Sequence, residues 1–293
     1  MAECLRRLGA AIVLAAGIAV TAAYGTAGSA APTEAPVDPA SIHVLAIGSC
    51  PPWRPKIRVC KHDVQQFAEA ARDLIGVPPD QITTLANEEA TASDVRAAFA
   101  KLKESTPQGS TLIVYYVGHG MILPNWGQAD GSTQETFLLW SRSFPFAALY
   151  AVQAGIWMTD AELGGLIGTL PAESALVILD TCEASGADNA IVSSSSLPKL
   201  EEVAVMASSR AHQIAFADLT SAVFTRNLVE AMHTQSPTLH EAFLLAQRDT
   251  VTEAALRCEG AVASGSAGED CTPQEPELVD PSGLAKRIRL NSN

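Results

Sequence analysis

A histidine and a cysteine stand out in this chain because each is tied to a strongly apolar run. His119 lies between two glycines directly after the run Thr111–Val117, and Cys182 closes the run Ala175–Cys182. A thiol attacks a carbonyl carbon effectively only as the thiolate, so a catalytic cysteine needs a nearby base such as histidine. The two residues are 63 positions apart, but adjacent parallel strands would bring them together. The pattern predicts nucleophilic catalysis by a cysteine.

The glycines beside His119 strengthen this prediction. Glycine lets the backbone turn sharply and lets a substrate carbonyl approach main-chain N–H groups, which then stabilise the oxyanion of acyl transfer. Simpler interpretations stay open: a turn histidine bonded to the backbone, and a buried cysteine acting as a small apolar residue. His212, in a later polar loop, is a reserve candidate for the base. The occurrence of both residues at strand ends favours catalysis.

The elements that must position these residues alternate between strands and helices. Strands are predicted over residues 43–48, 82–86, 111–117, 175–182 and 203–208, and helices over 62–76, 91–103, 159–170, 224–232 and 239–256. A turn-rich insertion occupies residues 118–157 and contains a hairpin strand. Strands that are apolar on both faces indicate an α/β domain with a mainly parallel sheet covered on both sides. In such sheets the ligand site lies at the carboxyl ends of the strands.

Composition excludes several classes of protein. The 293 residues are 47% hydrophobic and 5% aromatic, and the formal net charge is −13 with a pI near 4.8. This apolar fraction is too high for intrinsic disorder, and the acidic balance disfavours binding to nucleic acid or anionic lipid. The sequence contains no P-loop, G-x-S-x-G elbow, dinucleotide-binding glycine motif or zinc-ligand spacing.

The first thirty residues have the features of a secretory signal peptide. Arg6 and Arg7 precede an apolar stretch at residues 10–23 and a zone of small residues. We expect cleavage near Ala30 or Ala31, an extended lead-in over 31–41, and a periplasmic or secreted protein. An uncut membrane anchor is the alternative, and no stable membrane span is expected once the signal is removed.

Export changes the interpretation of the cysteines. Without Cys4 the chain has five cysteines, and an odd number in an oxidising compartment leaves a thiol unpaired within the chain. Cys50 and Cys60 flank a proline-rich loop, and Cys258 and Cys271 flank a glycine- and serine-rich one. Both pairs are plausible local disulfides, although the sequence does not fix the connectivity. This pairing leaves Cys182 free.

Taken in order, the motifs resemble those of the caspase-like cysteine peptidases, and most closely those of metacaspases and their bacterial relatives. The resemblance spans roughly residues 42–235. It rests on LIVYYV followed by G-H-G at 118–120, on LVIL followed by Asp180-x-Cys182, and on Ala222–Ala231, which is similar to the family's F-T-x-x-L helix. The Q-A-C-x-G motif of caspases proper is absent, and legumain-type peptidases share the layout.

This resemblance implies a three-layer α/β/α fold, with the peptidase domain at 42–257 and a C-terminal extension at 258–293. Cys182 would be the nucleophile, His119 the general base and acid, and the N–H groups of Gly120 and Cys182 the oxyanion hole. Asp63 and Asp180 would form an S1 pocket for Arg or Lys, which agrees with the pairing of carboxylates with cationic side chains. Otherwise Asp63 is a helix N-cap and Asp180 a strand-end acceptor.

Departures from the family pattern concern a loop and a metal. The segment from Cys182 to Gly186 has one residue more than the metacaspase pattern Cys-x-Ser-Gly. The paired aspartates that bind calcium in some metacaspases have no clear counterpart, Asp188 and Asp160 being the nearest, so no cofactor is predicted. Self-processing, where it occurs, is predicted after Lys199, the sole basic residue of the loop Ala184–Val203.

The residues and the resemblance together predict an exported cysteine endopeptidase that acts on protein or peptide substrates through an acyl-enzyme, and the resemblance implies cleavage after Arg or Lys. Two alternatives stay open. One is a catalytically silent caspase-like module that binds a partner protein through the insertion at 118–157. The other is a legumain-like transpeptidase, in which an amine rather than water resolves the thioester.

Overall fold

A computed structural model of the chain describes residues 35–52, 57–124, 133–142, 156–186, 200, 202–234, 236–264 and 271–291. The elements in chain order are β1 (Ile42–Ser49), α1 (Ile57–Ala70), β2 (Ile82–Ala86), α2 (Ala92–Ser105), β3 (Thr111–Gly118), β4 (Gly120–Pro124), β5 (Thr133–Leu138), β6 (Trp157–Thr159), α3 (Asp160–Gly168), β7 (Ser174–Asp180), β8 (Glu202–Ala207), α4 (Val223–His233), α5 (Leu239–Ala263), β9 (Glu277–Val279) and α6 (Leu284–Arg287). The predicted signal peptide lies outside the described residues, as does the first part of the lead-in.

The central sheet has the strand order β2-β1-β3-β7-β8-β9, and only β9 runs antiparallel to its neighbour. Strands β1, β3 and β7 are buried along almost their whole length, which is why their sequences are continuous apolar runs. The predicted mainly parallel sheet is therefore confirmed.

Two apolar cores flank this sheet because alternate strand residues face opposite sides. In β3, Tyr115 faces the core formed with α1, α4, α5 and α6, where it stacks on Phe67 with ring centroids 4.4 Å apart. Tyr116 faces the core formed with α2 and α3, together with Phe99 and Ile167. Helices on both faces give the predicted three-layer α/β/α fold.

The helix boundaries follow from capping residues. Side-chain oxygens of Thr91, Thr159 and Thr238 accept N–H groups in the first turns of α2, α3 and α5. A π-helical turn continues α1 and ends at Gly76, whose φ of 88° favours glycine. Thr91, the first residue of the predicted helix, is thus the N-cap of α2.

The insertion after β3 forms a second, antiparallel sheet of order β4-β5-β6. Strand β4 begins at Gly120, immediately after His119, so this small sheet starts at the predicted base. The predicted hairpin strand is the run FLLW at residues 137–140, which corresponds to the end of β5 and the two residues just after it.

The carboxyl-terminal residues differ most from the sequence-based expectation of an extension after residue 257. Strand β9 pairs with β8, and Leu284, Ile288 and Leu290 are buried in the core that contains α1 and α5. The segment from Ala35 to the C-terminus forms one compact unit. Its last elements are too short to show a periodicity, so pattern reasoning could not detect them.

Candidate active site

The carboxyl ends of β1, β3 and β7 meet at one edge of the central sheet. In the parallel register Ser49 pairs with Gly118, and Val117 pairs with Asp180. His119 and Cys182 each lie two residues beyond the paired Val117 and Asp180. Strand β7 ends at Asp180, so Cys182 lies just after the strand. The sequence predicts Cys182 as the last residue of the strand.

A cavity of about 230 Å³ opens at this edge and contains both predicted catalytic residues. Its walls come from three parts of the chain: the end of β1 with α1, the ends of β3 and β7, and the loop before α4. The lining residues are Cys50, Val59, Cys60, Val117, Gly118, His119, Asp180, Cys182, Ala215, Phe216, Ala217 and Ala222. The structure therefore brings His119, Cys182 and Asp180 to one cavity.

The His119 segment packs so closely on its surroundings that both neighbouring residues must be glycine. A Cβ at position 118 would lie 2.5 Å from the Tyr116 hydroxyl, and a Cβ at position 120 would collide with Thr181 Oγ1. The same Cβ at 120 would lie 3.0 Å from the carbonyl oxygen of Cys182. These close approaches set the histidine segment directly against the cysteine segment, as the glycine pattern predicts.

Hydrogen bonds fix the backbone of this segment. The carbonyl of His119 accepts the Leu138 N–H at 2.8 Å and the Tyr116 hydroxyl at 3.0 Å. The Leu138 bond makes His119 and Leu138 a hydrogen-bonded pair of the antiparallel ladder. The next pair, Gly120 and Phe137, is therefore a non-hydrogen-bonded pair, and the Gly120 N–H points away from β5. The orientation suits the role in the oxyanion hole that the family resemblance implies for Gly120.

Two serines after β8 hold the backbone that carries Cys182. Ser208 Oγ accepts the Thr181 N–H at 3.1 Å, and Ser209 Oγ accepts the Ala184 N–H at 3.2 Å. Both hydroxyls also donate to the Thr181 carbonyl, at 3.1 and 3.0 Å. No sequence pattern indicated these serines apart from their place at the end of a predicted strand.

The Cys182 thiol is free, half-buried and held by one backbone donor. The Ala215 N–H donates to Sγ at 3.4 Å. Burial raises the pKa of the Cys182 thiol, and the neighbouring charges of Asp180 and Glu183 act in the same direction, whereas the Ala215 N–H lowers it. The resting cysteine therefore favours the protonated thiol.

Glu183, the residue after the cysteine, links the two halves of the site. It adopts a left-handed backbone conformation, with a φ of 59°, and its Oε2 accepts the Ile122 N–H of β4 at 2.5 Å. Non-glycine residues in this region are strained and occur often at functional sites. The extra residue in the Cys182–Gly186 segment is the only sequence signal that pointed here.

Asp180 lies in the cavity wall and is almost fully buried. Its Oδ2 accepts the Thr225 N–H at 2.9 Å and the Thr225 hydroxyl at 2.7 Å. Its Oδ1 has no hydrogen-bond partner among the described residues. Burial raises the pKa of Asp180 to about 6; the Thr225 bonds and the Ser208 hydroxyl oppose this shift, and the charge of Asp63 assists it.

Asp63 occupies a different position. It lies inside α1 instead of capping it, and its side chain is fully buried. Oδ1 accepts the Ser221 hydroxyl at 2.6 Å and Oδ2 accepts the Ala222 N–H at 2.9 Å. Burial raises the pKa of Asp63 against these bonds. The carboxylate thus holds Ala222, a lining residue, from behind the wall.

Both predicted disulfides are present: Cys50–Cys60 and Cys258–Cys271. The first lines the cavity, where it joins the end of β1 to α1 three residues before Asp63. His212, the reserve base, is exposed and outside the cavity lining. Lys199 lies outside the described residues.

The described ranges contain no group of three or more His, Cys, Asp or Glu side chains placed to hold a metal ion. Asp160, one of the two calcium candidates, accepts the N–H groups of Ala161 and Glu135 at the start of α3. The other, Asp188, is outside the described residues. Across the same part of the chain no helix is long and apolar enough to cross a membrane.

A mainly parallel sheet of this order, with a cysteine and a histidine just after adjacent strands, is typical of the class of caspase-like proteins. The chain belongs to the caspase domain family (Peptidase_C14), a family of cysteine peptidases whose model matches residues 44–274. This match confirms the resemblance to caspase-like proteins and supports a protein of the cysteine-peptidase type.

Individual relatives are distant. The chain is 32% identical over 88 residues to metacaspase-4 of Arabidopsis thaliana, a match that covers 28% of this chain and 21% of the plant protein. The crystal structure of protein GSU0716 from Geobacter sulfurreducens superposes with a TM-score of 0.56 at 17% identity, covering 86% of this chain and 97% of that one. That likeness supports the fold alone. Caspase-1 from Spodoptera frugiperda has a TM-score of 0.47 at 12% identity, over 84% and 87% of the two chains.

Proposed function

We propose that the protein is an exported cysteine endopeptidase that cleaves after Arg or Lys, with Cys182 as the nucleophile and His119 as the general base and acid. One observation carries this proposal: a thiol, an imidazole and a buried carboxylate line the same cavity, and one carboxylate oxygen has no partner among the residues that the structure describes. The first two supply acyl-transfer chemistry, and the third supplies a site for a cationic side chain.

The proposed reaction begins with a protonated thiol, because burial raises the pKa of Cys182. His119 takes the thiol proton as Sγ attacks the scissile carbonyl carbon, and the N–H groups of Gly120 and Cys182 hold the oxyanion. The intermediate expels the amine, which leaves with the proton from His119. His119 then deprotonates water, which attacks the thioester and releases the acid and the thiol.

Substrate specificity in this proposal comes from Asp180. Its Oδ1 accepts an N–H of the guanidinium or ammonium group that enters the cavity. Asp63 adds negative charge from behind the wall and is itself fully hydrogen-bonded. An acidic side chain is excluded because it would be buried beside two carboxylates.

The same carboxylate couples substrate binding to the nucleophile. The charge of Asp180 is one cause of the raised pKa of the Cys182 thiol. A cationic side chain bound at Asp180 offsets that charge and so favours the thiolate. In this way a matching substrate activates the cysteine that attacks it.

The test is turnover of fluorogenic peptides ending in Arg, Lys or Asp by the purified protein. We expect cleavage after Arg and Lys, no cleavage after Asp, and loss of turnover in both Cys182→Ala and His119→Ala. A matched control is His240→Ala, which changes a histidine on α5. Turnover that survives in Cys182→Ala would rule out the proposed nucleophile.

A catalytically silent binding module is the second candidate, because the raised pKa of Cys182 disfavours a preformed thiolate. Binding of a partner without turnover of any basic peptide would favour it. Added amine acceptors distinguish the transpeptidase: a peptide–amine product shows transfer, whereas a free carboxylic acid shows hydrolysis.

A further inference from the structure

The short segment 271–276 contacts the loop 208–216, and this loop in turn contacts Cys182. Gln274 in this segment is fully buried, with 0% of its surface exposed. Its Oε1 accepts the Phe216 N–H at 2.8 Å, and its Nε2 donates to the Ser208 carbonyl at 2.8 Å. The side-chain amide therefore bridges the two ends of the loop 208–216.

Both ends of that loop contact the catalytic segment. At one end, the Ser208 hydroxyl accepts the Thr181 N–H, next to the nucleophile. At the other, Ala215 donates its N–H to Cys182 Sγ, and Phe216 lines the cavity. Both ends of the loop thus contact the cysteine segment, and the Gln274 amide fixes the distance between these two ends.

The neighbouring residue makes a second, weaker link. The Glu275 N–H donates to Gln213 Oε1 at 3.0 Å, and its carboxylate pairs with Arg210 at 3.0 Å. The Gln213 carbonyl in turn accepts the Glu183 N–H at 2.8 Å. Because the Arg210–Glu275 pair is largely exposed, we assign the positioning effect to the buried amide of Gln274.

The segment is itself anchored to the core. The Cys258–Cys271 disulfide joins it to α5, where Cys258 and Ala254 are buried. Only two residues lie between Cys271 and Gln274, so the disulfide restricts where the amide can lie. A continuous set of contacts runs from α5 through Gln274 to the cysteine.

We propose that Gln274 is a positioning residue of the active site, through which the C-terminal segment holds the Ala215–Phe216 backbone against Cys182. This inference rests on the proposed function for its catalytic consequence. It gives a role to the segment that the sequence presented only as an extension.

The deciding variants are Gln274→Glu and Gln274→Met. The glutamate keeps the shape of glutamine and donates to the Ser208 carbonyl only when protonated, and its burial favours protonation as the pH falls. The methionine keeps the approximate volume and loses both hydrogen bonds at every pH. Gln247→Glu is the matched control, because Gln247 donates to the Pro276 carbonyl of the same segment at 2.6 Å, away from the loop.

The first measurement is the pH midpoint of iodoacetamide alkylation at Cys182, located by peptide mass spectrometry, with folding checked by circular dichroism at each pH. Loss of the positioned Ala215 N–H removes a group that stabilises the thiolate. We expect the midpoint to rise by about half to one pH unit in both Gln274 variants and to stay unchanged in Gln247→Glu. A folded Gln274→Met protein with the wild-type midpoint overturns the proposal.

The second measurement is peptide turnover relative to wild type. We expect a loss of roughly tenfold in both variants at pH 8, with recovery of Gln274→Glu, but not of Gln274→Met, as the pH is lowered toward 5.5. Equal losses at every pH overturn the role of the Ser208 bond. A wild-type protein without peptide turnover would end the proposed function, whereas the alkylation measurement would still decide the role of Gln274.

Discussion

Asp63 and Asp180 are both buried carboxylates whose pKa values are raised by burial, yet their surroundings differ. Asp63 accepts hydrogen bonds on both oxygens from the loop before α4. Asp180 accepts two on Oδ2, and Oδ1 has no partner in the described part of the chain. Asp63 is thus hydrogen-bonded on both oxygens, whereas Asp180 has one oxygen that a ligand could bind.

The family resemblance predicts the same role, in an S1 pocket, for Asp63 and Asp180, but the structure gives the two carboxylates different surroundings. A buried carboxylate oxygen without a hydrogen-bond donor lowers the stability of the protein. Such an oxygen is expected in a cavity wall most readily where a ligand donates the missing hydrogen bond. A saturated one costs less and stabilises the backbone it binds. Asp180 is accordingly the direct substrate ligand of the proposal, and Asp63 the support of Ala222.

The largest expected effect comes from Asp180→Asn. Removal of the charge leaves a bound guanidinium buried without its anion, so we expect kcat/KM on Arg-ended peptides to fall about 100- to 1,000-fold. Thermal stability should be unchanged or higher, because a poorly compensated buried charge is removed. Asp249→Asn on α5 is the matched control, since this carboxylate is exposed and pairs with Arg248. A loss below threefold would show that Asp180 does not bind the cation.

Part of the fold and part of the candidate site could be predicted from the sequence. The runs around β1, β3 and β7 predict the sheet, because strands buried on both faces need continuous apolar residues. His119, Cys182 and Asp180 follow from strand ends in that sheet. Two hydrogen-bond partners of Asp63, Ser221 and Ala222, are 158 and 159 positions away, and Gln274 lies in a segment without periodicity. Such long-range polar pairing leaves no local pattern, so only the folded chain reveals it.

The next largest effect is on stability, through Asp63→Ala. This change leaves the Ala222 N–H without its acceptor and the Ser221 hydroxyl without its main one, so we expect the free energy of unfolding to fall by roughly 2–3 kcal/mol. Urea denaturation followed by circular dichroism measures it. Asp180→Asn, measured in parallel, should show no comparable loss. Equal destabilisation by the two variants would remove the distinction between support and ligand.

The pH dependence of substrate binding distinguishes the two carboxylates further. As the pH falls through about 6, Asp180 takes up a proton and loses its charge. We expect KM for Arg-ended peptides to rise by up to about tenfold per pH unit below that value, with a smaller change in kcat because a bound cation keeps Asp180 ionised. The rise should vanish in Asp180→Asn.

The same titration has the opposite sign for stability. The pKa of Asp180 in the folded protein lies above that in the unfolded chain, so the folded state binds more protons between about pH 4 and 6. This carboxyl therefore makes the protein more stable as the pH falls through that range. The free energy of unfolding of wild type minus that of Asp180→Asn, measured at pH 7 and pH 5, should rise on acidification.

A smaller effect concerns the nucleophile. The charge of Asp180 raises the pKa of the Cys182 thiol, so Asp180→Asn should lower the pH midpoint of Cys182 alkylation by iodoacetamide by a few tenths of a unit. Asp63→Asn should leave it nearly unchanged, because the charges that raise the pKa of the Cys182 thiol are those of Asp180 and Glu183. A midpoint that moves equally in both variants would contradict the proposed coupling of Asp180 to the cysteine.

The smallest effect is expected for Asp63→Asn, and it separates support from substrate binding most cleanly. The asparagine Oδ1 can still accept the Ala222 N–H, and the asparagine amide can donate to Ser221 Oγ. The Ser221 hydroxyl can then donate to the Ala222 carbonyl, which already lies 3.1 Å from it. We expect the free energy of unfolding to change by less than about 1 kcal/mol and kcat/KM to stay within about threefold of wild type. If kcat/KM instead falls as far as in Asp180→Asn while the fold persists, Asp63 carries charge that the substrate reads directly, and the two carboxylates act as a pair.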